Sequence, residues 1–261
     1  CMLAHKMGAG KTVARVNTYE YIQKKNQELL HSTGIDSIIL PEMIAAQEIA
    51  GNVSRSWIRQ WWEVENSDLV MMGIKVRNNC RLLNVPLKDL CGPESPYHIV
   101  AIKRGDETII PHGNDIIYAY DLVFFMTTRK YISYIRELTG KEDFPDVKNV
   151  AIMGGGITTL FTAQLLPDYM KIKIIERDEQ RCRELFEQLD NRKAMIIHGD
   201  GRDMALLQDE NIPNSEAFIA LTGSSEANIL SCLAAKRMNI HKTIAMLDNL
   251  SFVSMAESLD I

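Results

Sequence analysis

Residues 147–176 read VKNVAIMGGGITTLFTAQLLPDYMKIKIIE, and this stretch is the most informative part of the chain. An apolar strand at 150–153 runs into three glycines, a helical segment follows, and a second apolar strand at 172–175 ends at Glu176. This order predicts a βαβ unit that binds a dinucleotide, because glycines let the backbone turn tightly beside a pyrophosphate resting on the next helix N-terminus. Glu176 lies twenty residues after Gly156, where a carboxylate accepts hydrogen bonds from ribose hydroxyls.

The same rhythm continues to the end of the chain. Further apolar strands are predicted at 194–197, 217–221 and 242–246, and helices at about 157–166, 178–189, 203–208 and 225–238. Regular alternation of strands and helices predicts a doubly wound parallel sheet, a Rossmann-like α/β domain over residues 148–261.

Polar residues follow the third and fourth of these strands, at the sheet edge where open α/β folds bind ligands. We predict that Asp200 contacts the adenine side of a ligand and that Thr222 contacts its ribose or phosphate. The alternative for both residues is helix capping, which suits Asp and Thr equally well. The candidate cofactor-binding residues are Gly154, Gly155, Gly156, Ile157, Thr158, Glu176, Arg177, Asp200, Gly201 and Thr222.

Three residues bear on which ligand this site takes. Thr159 stands where the glycine pattern has its third glycine, so a purely structural turn is the alternative to a binding site. Glu176 repels a 2′-phosphate and favours NAD(H) over NADP, although the adjacent Arg177 could reduce that preference. We predict NAD(H) as the ligand, with ATP and ADP as alternatives.

The first 56 residues predict the back half of a similar module. A strand at 12–16, a helix at about 18–31, a strand at 37–40 and a helix from Pro41 to about 50 follow one another. The helix, turn and strand of residues 3–17 also match those of residues 233–249 in order. With a β-rich segment between the copies, this match predicts a tandem duplication that is truncated at both ends.

The sequence pattern changes between the two modules. Residues 67–130 carry short β-rich runs between frequent turn residues and predict a small, mainly antiparallel α+β domain. Residues 131–147 are predicted to be a linker because much of this stretch is polar and contains Gly and Pro. Trp57 and Trp61 lie four residues apart and are predicted to share a helical face that packs into a core or a subunit interface.

Composition narrows the function further. A net charge of −5 and a pI near 5.7 argue against a nucleic-acid partner. Five scattered cysteines without CxxC spacing indicate reduced thiols of a cytosolic protein, not a zinc site. No apolar run reaches the roughly 18 residues that span a membrane. No acid–base set or metal-ligand spacing is recognisable, so we predict no catalytic residue and no metal. Because the chain starts inside a predicted helix, we expect it to be part of a longer protein.

The sequence resembles the TrkA family, the cytoplasmic regulatory subunits of Trk-type potassium uptake systems, which are built from tandem RCK modules. The resemblance is carried by AGKTVARVNTYEY (9–21), GIDSIILPEMIAAQEIA (34–50) and IVAIKRGDETIIPHGNDIIYAYDLVFFMTT (99–128). In the last segment a hydrophobic run, Arg104-Gly105, Pro111 to Asn114 and Asp121 recur in family order. Residues 148–261 resemble the second nucleotide-binding module of the family.

This resemblance implies a non-enzymatic protein, peripheral on the inner face of the plasma membrane, that binds NAD(H) or a related adenine nucleotide. It further implies a membrane potassium channel or transporter subunit as the partner that is gated, and a homo-oligomer that is a dimer or a tetramer. The competing hypothesis is an NAD-dependent oxidoreductase, which needs an acid/base group beside the nicotinamide. The β-rich domain offers only His98 and His112 for that role.

Overall fold

A computed structural model of the protein describes residues 1–16, 18–92, 94–105, 107–144, 146–259 and 261. Asn17 of the predicted repeat and Asp106 of the β-rich segment lie outside the described residues. The chain forms two compact units, one made of residues 1–51 and 148–261 and the other of residues 52–147. Among the described residues, no helix is long and apolar enough to cross a membrane.

The first part of the larger unit alternates short helices and strands. In chain order its elements are α1 (Met2–Lys6), β1 (Val13–Arg15), a 3₁₀ helix (Tyr19–Ile22), α2 (Lys24–Ser32), β2 (Ser37–Ile39) and α3 (Pro41–Ser54). β1 and β2 pair in parallel. These are the two strands predicted at 12–16 and 37–40, and α3 is longer than the helix predicted from Pro41.

The helix predicted over residues 18–31 is wrong in its first part. Gln23 has an extended backbone, with φ −66° and ψ 139°, and separates the 3₁₀ helix from α2. The side chain of Asn26 donates a hydrogen bond of 2.7 Å to the carbonyl oxygen of Glu20. In a continuous α-helix that carbonyl accepts from the backbone N–H four residues later. A local side-chain bond therefore takes the place of the helical one.

The smaller unit is an antiparallel sheet with helices. Its elements are β3 (Gln60–Glu63), β4 (Leu69–Lys75), α4 (Leu87–Leu90), β5 (Tyr97–Arg104), β6 (Glu107–Ile109), β7 (Leu122–Thr128), a 3₁₀ helix (Arg129–Tyr131) and α5 (Ile132–Leu138). The strand order is β3-β4-β7-β5-β6. Burial alternates along β7, as expected for a strand with one face on a core, and Phe125 is fully buried there.

Two predictions for this unit need correction. Trp57 and Trp61 do not share a helical face, because Trp61 lies in β3, where it pairs with Met72 of β4. Trp57 is nevertheless buried in the core of this unit. The segment predicted as a linker, 131–147, contains α5, whose Ile135 is fully buried in the same core. The segment is therefore part of the smaller unit, which extends to residue 147.

The second part of the larger unit is the predicted α/β domain. Its elements are β8 (Asn149–Met153), α6 (Ile157–Leu165), β9 (Lys171–Glu176), α7 (Glu179–Gln188), β10 (Ala194–His198), α8 (Met204–Asp209), a 3₁₀ helix (Ile212–Asn214), β11 (Ala217–Ala220), α9 (Ser225–Arg237), β12 (Lys242–Ala245), a 3₁₀ helix (Leu250–Phe252) and α10 (Val253–Ser258). All five strands pair in parallel in the order β10-β9-β8-β11-β12. The doubly wound parallel sheet is confirmed.

Strand order places the functional edge of this sheet. The chain builds outwards from β8 through β9 to β10 and then returns to the other side of β8 with β11. In doubly wound sheets the loops after the two strands flanking such a reversal diverge and leave a crevice at the carboxyl edge. The glycine turn after β8 lies at this point.

The two halves of the predicted duplication share local backbone features. Gly8 after α1 and Asn239 after α9 both have left-handed backbones, with φ of +94° and +65°. Each copy also has a buried threonine at its strand: Thr12 directly precedes β1, and Thr243 is the second residue of β12. Within the larger unit, Leu40 and Ala46 from the first part also form an apolar cluster with Phe161 of α6.

Candidate functional site

A cavity of about 470 Å³ lies at the carboxyl edge of the parallel sheet. Its walls are the loops that follow β8, β9, β10 and β11, with Ala227 of α9. Eight of the ten predicted binding residues line it, namely Gly154, Gly155, Gly156, Glu176, Arg177, Asp200, Gly201 and Thr222. The structure thus brings together residues that are up to 68 positions apart in the sequence, from Gly154 to Thr222.

The other two predicted residues, Ile157 and Thr158, lie outside the cavity lining. Ile157 packs against the apolar cluster that contains Leu40 and Phe161, and Thr158 is buried in α6. What the first turn of α6 can present to an anion is therefore its backbone N–H groups, which have no partner within the helix.

The three glycines of the turn differ in how much space a side chain would have. Gly154 has φ +101°, and a Cβ there would lie 2.9 Å from the carbonyl oxygen of Leu221. A Cβ on Gly155 would lie 2.8 Å from the side chain of Leu185. Gly156, in contrast, has no atom within 4 Å of its ideal Cβ position. The fold requires the first two glycines, whereas the third keeps open a space beside the cavity.

The start of α6 has no side-chain cap. Gly156 is the N-cap residue, and no side chain caps the helix there. Free N–H groups and the positive end of the helix dipole together favour a negatively charged ligand at such a terminus. This terminus opens on the glycine turn, as the sequence predicts.

Thr159 does not disturb this turn. Its side chain is fully buried, and its hydroxyl donates a 2.6 Å hydrogen bond to the carbonyl oxygen of Gly154. The residue that replaces the third glycine therefore fastens the helix to the turn.

Glu176 at the end of β9 contacts the turn directly. One carboxylate oxygen accepts a 2.5 Å hydrogen bond from the N–H of Gly155, and the other accepts one of 2.7 Å from the N–H of Asp178. These bonds hold the carboxylate at the cavity wall, where its remaining lone pairs are available to hydroxyl groups.

Arg181 of α7 is a turn contact that sequence reasoning missed. Its Nε donates a 2.6 Å hydrogen bond to the carbonyl oxygen of Gly155, and a second guanidinium nitrogen pairs with Glu184 at 2.7 Å. In the sequence Arg181 is one of several charged residues on a predicted helix. No spacing rule singles it out, because its contact with the turn is tertiary.

Asp200 follows β10 and forms a two-bond ion pair with Arg202. The guanidinium donates at 2.9 and 2.6 Å, and the backbone N–H of Arg202 adds a third bond. These bonds to Arg202 lower the pKa of Asp200 to about 2. The carboxylate is therefore ionised at every physiological pH. It stands in the cavity as a hydrogen-bond acceptor.

Thr222 follows β11 and is held by Asn228 of α9, a second residue that sequence reasoning missed. Asn228 is fully buried; its oxygen accepts bonds from the N–H and the hydroxyl of Thr222. Its amide nitrogen donates to the carbonyl oxygens of Thr222 and Met246. Asparagine is unfavourable inside a helix, so its position in the predicted helix 225–238 is a sequence signal that Asn228 has a structural role.

Among the described residues, no group of three or more His, Cys, Asp or Glu side chains could hold a metal ion.

The fold and this cavity define a class: a Rossmann-type α/β domain with a glycine turn at the strand-order reversal, combined with a small α+β unit. Two family models match this chain. The TrkA-N domain model matches residues 150–261, and the TrkA-C domain model matches residues 71–140. The chain belongs to the TrkA family, and the resemblance seen in the sequence is confirmed.

Curated relatives match along almost the whole chain. The Trk system potassium uptake protein TrkA of Halomonas elongata is 30% identical over 265 residues, covering 100% of this chain and 57% of the relative. TrkA homolog 2 of Methanosarcina mazei is 31% identical over 253 residues, covering 96% of this chain and 55% of the relative. The chain thus spans about half the length of these relatives.

Solved structures show the same fold. The crystal structure of the GsuK RCK domain has a TM-score of 0.66 and 15% identity, covering 99% of this chain and 54% of that one. The GsuK channel bound to NAD has a TM-score of 0.65 and 16% identity, covering 99% of this chain and 45% of that one. At this identity the likeness establishes an RCK-type fold.

Proposed function

We propose that the cavity binds NAD(H) and that this protein is a regulatory, non-enzymatic part of a potassium uptake system. One observation carries the proposal: the glycine turn, the uncapped start of α6 and the carboxylate of Glu176 meet at the strand-order reversal. A pyrophosphate fits the first two features, and a ribose diol fits the third.

The charges around the cavity favour a dinucleotide over a nucleoside triphosphate. Its charged lining residues are Glu176, Arg177, Asp200 and Arg202, and Arg202 is neutralised by Asp200. Among the described lining residues, neither the glycine turn nor the loop after β11 supplies a Lys or Arg. A helix N-terminus alone balances the charge of a pyrophosphate better than that of a triphosphate. The fold likeness to a channel bound to NAD supports the same ligand.

The protonation states in the cavity suit binding better than catalysis. A general acid or base works best with a pKa near the operating pH. Asp200, with its pKa lowered to about 2, is far from that condition. The carboxylate of Glu176 is occupied by two backbone N–H groups of the turn region. Both carboxylates therefore act as fixed acceptors for ligand hydroxyl or amino groups.

The regulatory role follows from the family. The matched relatives are named as Trk system potassium uptake proteins. We propose that the partner is a membrane potassium channel or transporter subunit and that the protein acts as a homo-oligomer, a dimer or a tetramer, on the cytoplasmic face of the membrane. Regulation requires that the nucleotide binds two states of the assembly with different affinities.

A ligand panel tests the binding proposal. We expect NADH and NAD⁺ to raise the melting temperature, with ATP and ADP weaker, and Glu176→Ala to abolish the effect. Glu179→Ala, an exposed carboxylate on α7, is the matched control. No shift with any of these nucleotides would show that the cavity is not a nucleotide site. Oxidation of NADH or reduction of NAD⁺ with a panel of aldehydes or hydroxy acids would instead favour an oxidoreductase.

A further inference from the structure

We propose that Arg181 is a positioning residue that fixes the glycine turn in the conformation that receives the ligand phosphates. The inference rests on the proposed nucleotide function. Arg181 lies on α7, and its guanidinium bridges the carbonyl oxygen of Gly155 and the carboxylate of Glu184. Its side chain is only 27% exposed, so the bridge is largely shielded from water.

Gly155 is held at both of its polar backbone atoms. Its N–H donates to Glu176, and its carbonyl oxygen accepts from Arg181. Both partners come from one short stretch, the end of β9 and the start of α7. A turn of consecutive glycines has more accessible backbone conformations than any other sequence. These two bonds select one of them before a ligand arrives.

The bond from Arg181 also sets the direction of the next N–H group. The carbonyl of Gly155 and the N–H of Gly156 belong to one peptide group, which is planar and, like every described peptide bond here, not cis. In a trans peptide these two groups point in opposite directions. Holding the carbonyl towards α7 therefore turns the N–H of Gly156 away from α7, to the side on which the anion is expected.

Since Glu176 already takes the N–H of Gly155, the N–H of Gly156 and those of the first turn of α6 are the donors left for phosphate oxygens. Without Arg181 the peptide between the two glycines is free to rotate, and the ligand has to order it. Preorganised binding groups increase affinity because this ordering cost is avoided.

The chain offers a matched control. Arg183 lies two positions further along α7, is 74% exposed and pairs with Glu179 on the helix surface. Arg181→Gln and Arg183→Gln thus remove the same charge from the same helix. Arg181→Lys keeps the positive charge, but its single nitrogen cannot reproduce the planar fork by which two guanidinium nitrogens contact Gly155 and Glu184.

The test is a titration of each variant with NADH, together with hydrogen exchange of the turn. We expect Arg181→Gln to lower the affinity for NADH about tenfold and Arg181→Lys to lower it less. Arg183→Gln should bind NADH with the affinity of the unchanged protein. Hydrogen exchange of the 154–158 backbone should be faster in free Arg181→Gln and should slow strongly on saturation with NADH.

The outcomes separate the two proposals. If the unchanged protein fails to bind NADH, the proposed function is wrong. If the unchanged protein binds NADH and both Arg181 variants bind it with the same affinity as the unchanged protein, the positioning role is wrong. Should Arg181→Gln fail to fold, Arg181→Lys decides: weaker binding by a stably folded protein supports the role, and unchanged binding refutes it.

Discussion

The hydroxyl of Thr159 donates a 2.6 Å hydrogen bond to the carbonyl oxygen of Gly154, across the turn that the site depends on. In the usual glycine pattern a third glycine at this position lets the helix approach the strand. Here the threonine side chain is fully buried and bonded, so close packing and a side chain are compatible. The turn is held by a bond that the usual pattern lacks.

Thr159→Val should therefore destabilise the larger unit. Valine has the same shape but leaves the buried carbonyl of Gly154 without this donor, which costs about 1–3 kcal/mol. Thr159→Ser retains the hydroxyl and loses one methyl group, so its cost should be smaller, about 0.8 kcal/mol. Urea denaturation followed by circular dichroism measures both. Equal stability of Thr159→Val and the unchanged protein would show that the bond contributes nothing.

Gly156→Ala should separate binding from folding. Gly156 has φ −64°, which alanine adopts easily, and nothing lies within 4 Å of the added Cβ. Stability should change by no more than about 1 kcal/mol, because alanine restricts the unfolded chain but is a poorer N-cap residue than glycine. The Cβ would stand where a pyrophosphate approaches, so NADH affinity should fall at least about tenfold.

Gly92→Ala, in the smaller unit, provides the control for this substitution because its added Cβ also meets open space. Isothermal titration with NADH distinguishes the two variants. If Gly156→Ala binds NADH as tightly as Gly92→Ala, the ligand phosphates do not approach Gly156.

The pattern of apolar residues predicted the strands of the five-stranded sheet, and the predicted bounds agree with the structure within about one residue. The signal is strongest for the central strands β8 and β11, which are nearly continuous apolar runs buried along most of their length, as is typical of parallel sheets. The break before α2 was not predictable in this way, since it depends on one side-chain bond from Asn26.

Some residues of the candidate site were predictable from the sequence and others were not. Residues in the loops after strands, such as Glu176 and Asp200, could be predicted because topology alone brings strand ends to one edge. Arg181 and Asn228 could not, because each acts from a helix through a contact that only the packing of that helix against the sheet creates. Sequence alone therefore predicts what lines the cavity better than what supports it.

Asn228 holds both the loop at Thr222 and the residue Met246 after β12, and two substitutions should distinguish these roles. Asn228→Ala removes all its bonds to Thr222 and Met246 and should destabilise the larger unit by about 1–3 kcal/mol. Asn228→Asp keeps the acceptor for the N–H and hydroxyl of Thr222, but it turns the donor to the carbonyl oxygens of Thr222 and Met246 into an acceptor. Thr222 thus keeps two of its bonds, whereas Met246 keeps none from this side chain. Hydrogen exchange should then rise around residue 246 more than around Thr222. Equal exchange in both segments would refute this division of roles.

The smaller unit contains an ion pair between a buried carboxylate, Asp121, and the partly exposed Arg104. The side chain of Asp121 is 3% exposed and accepts bonds from Arg104 at 2.9 and 2.7 Å and from the N–H of Tyr118 at 2.9 Å. Asp121→Asn should destabilise this unit by roughly 1.5–3 kcal/mol, since charge-assisted bonds are lost while Arg104 stays largely in place. Asp89→Asn on α4 serves as the control. A cost no larger than that of Asp89→Asn, measured by urea denaturation, would contradict the expectation.

Asp200 makes a pH-dependent prediction. Its pKa is lowered from 3.8 to about 2 by Arg202, so the folded state binds this proton more weakly than the unfolded state does. The pair therefore stabilises the fold above about pH 4, and this stability is lost as the pH falls from about 4 to 2. Because both side chains are substantially exposed, 39% for Asp200 and 58% for Arg202, its size at pH 7 should be at most about 1 kcal/mol.

Asp200→Asn removes this contribution, so the stability difference between the unchanged protein and the variant should shrink between pH 5 and pH 3. Asp209→Asn, an exposed aspartate on α8, controls for the loss of a negative charge. Urea midpoints across this range provide the measurement. A difference that stays constant down to pH 3 would show that Arg202 does not hold the Asp200 carboxylate in solution. NADH affinity measured at pH 7 should fall in Asp200→Asn but not in Asp209→Asn, because of these two aspartates only Asp200 lines the cavity.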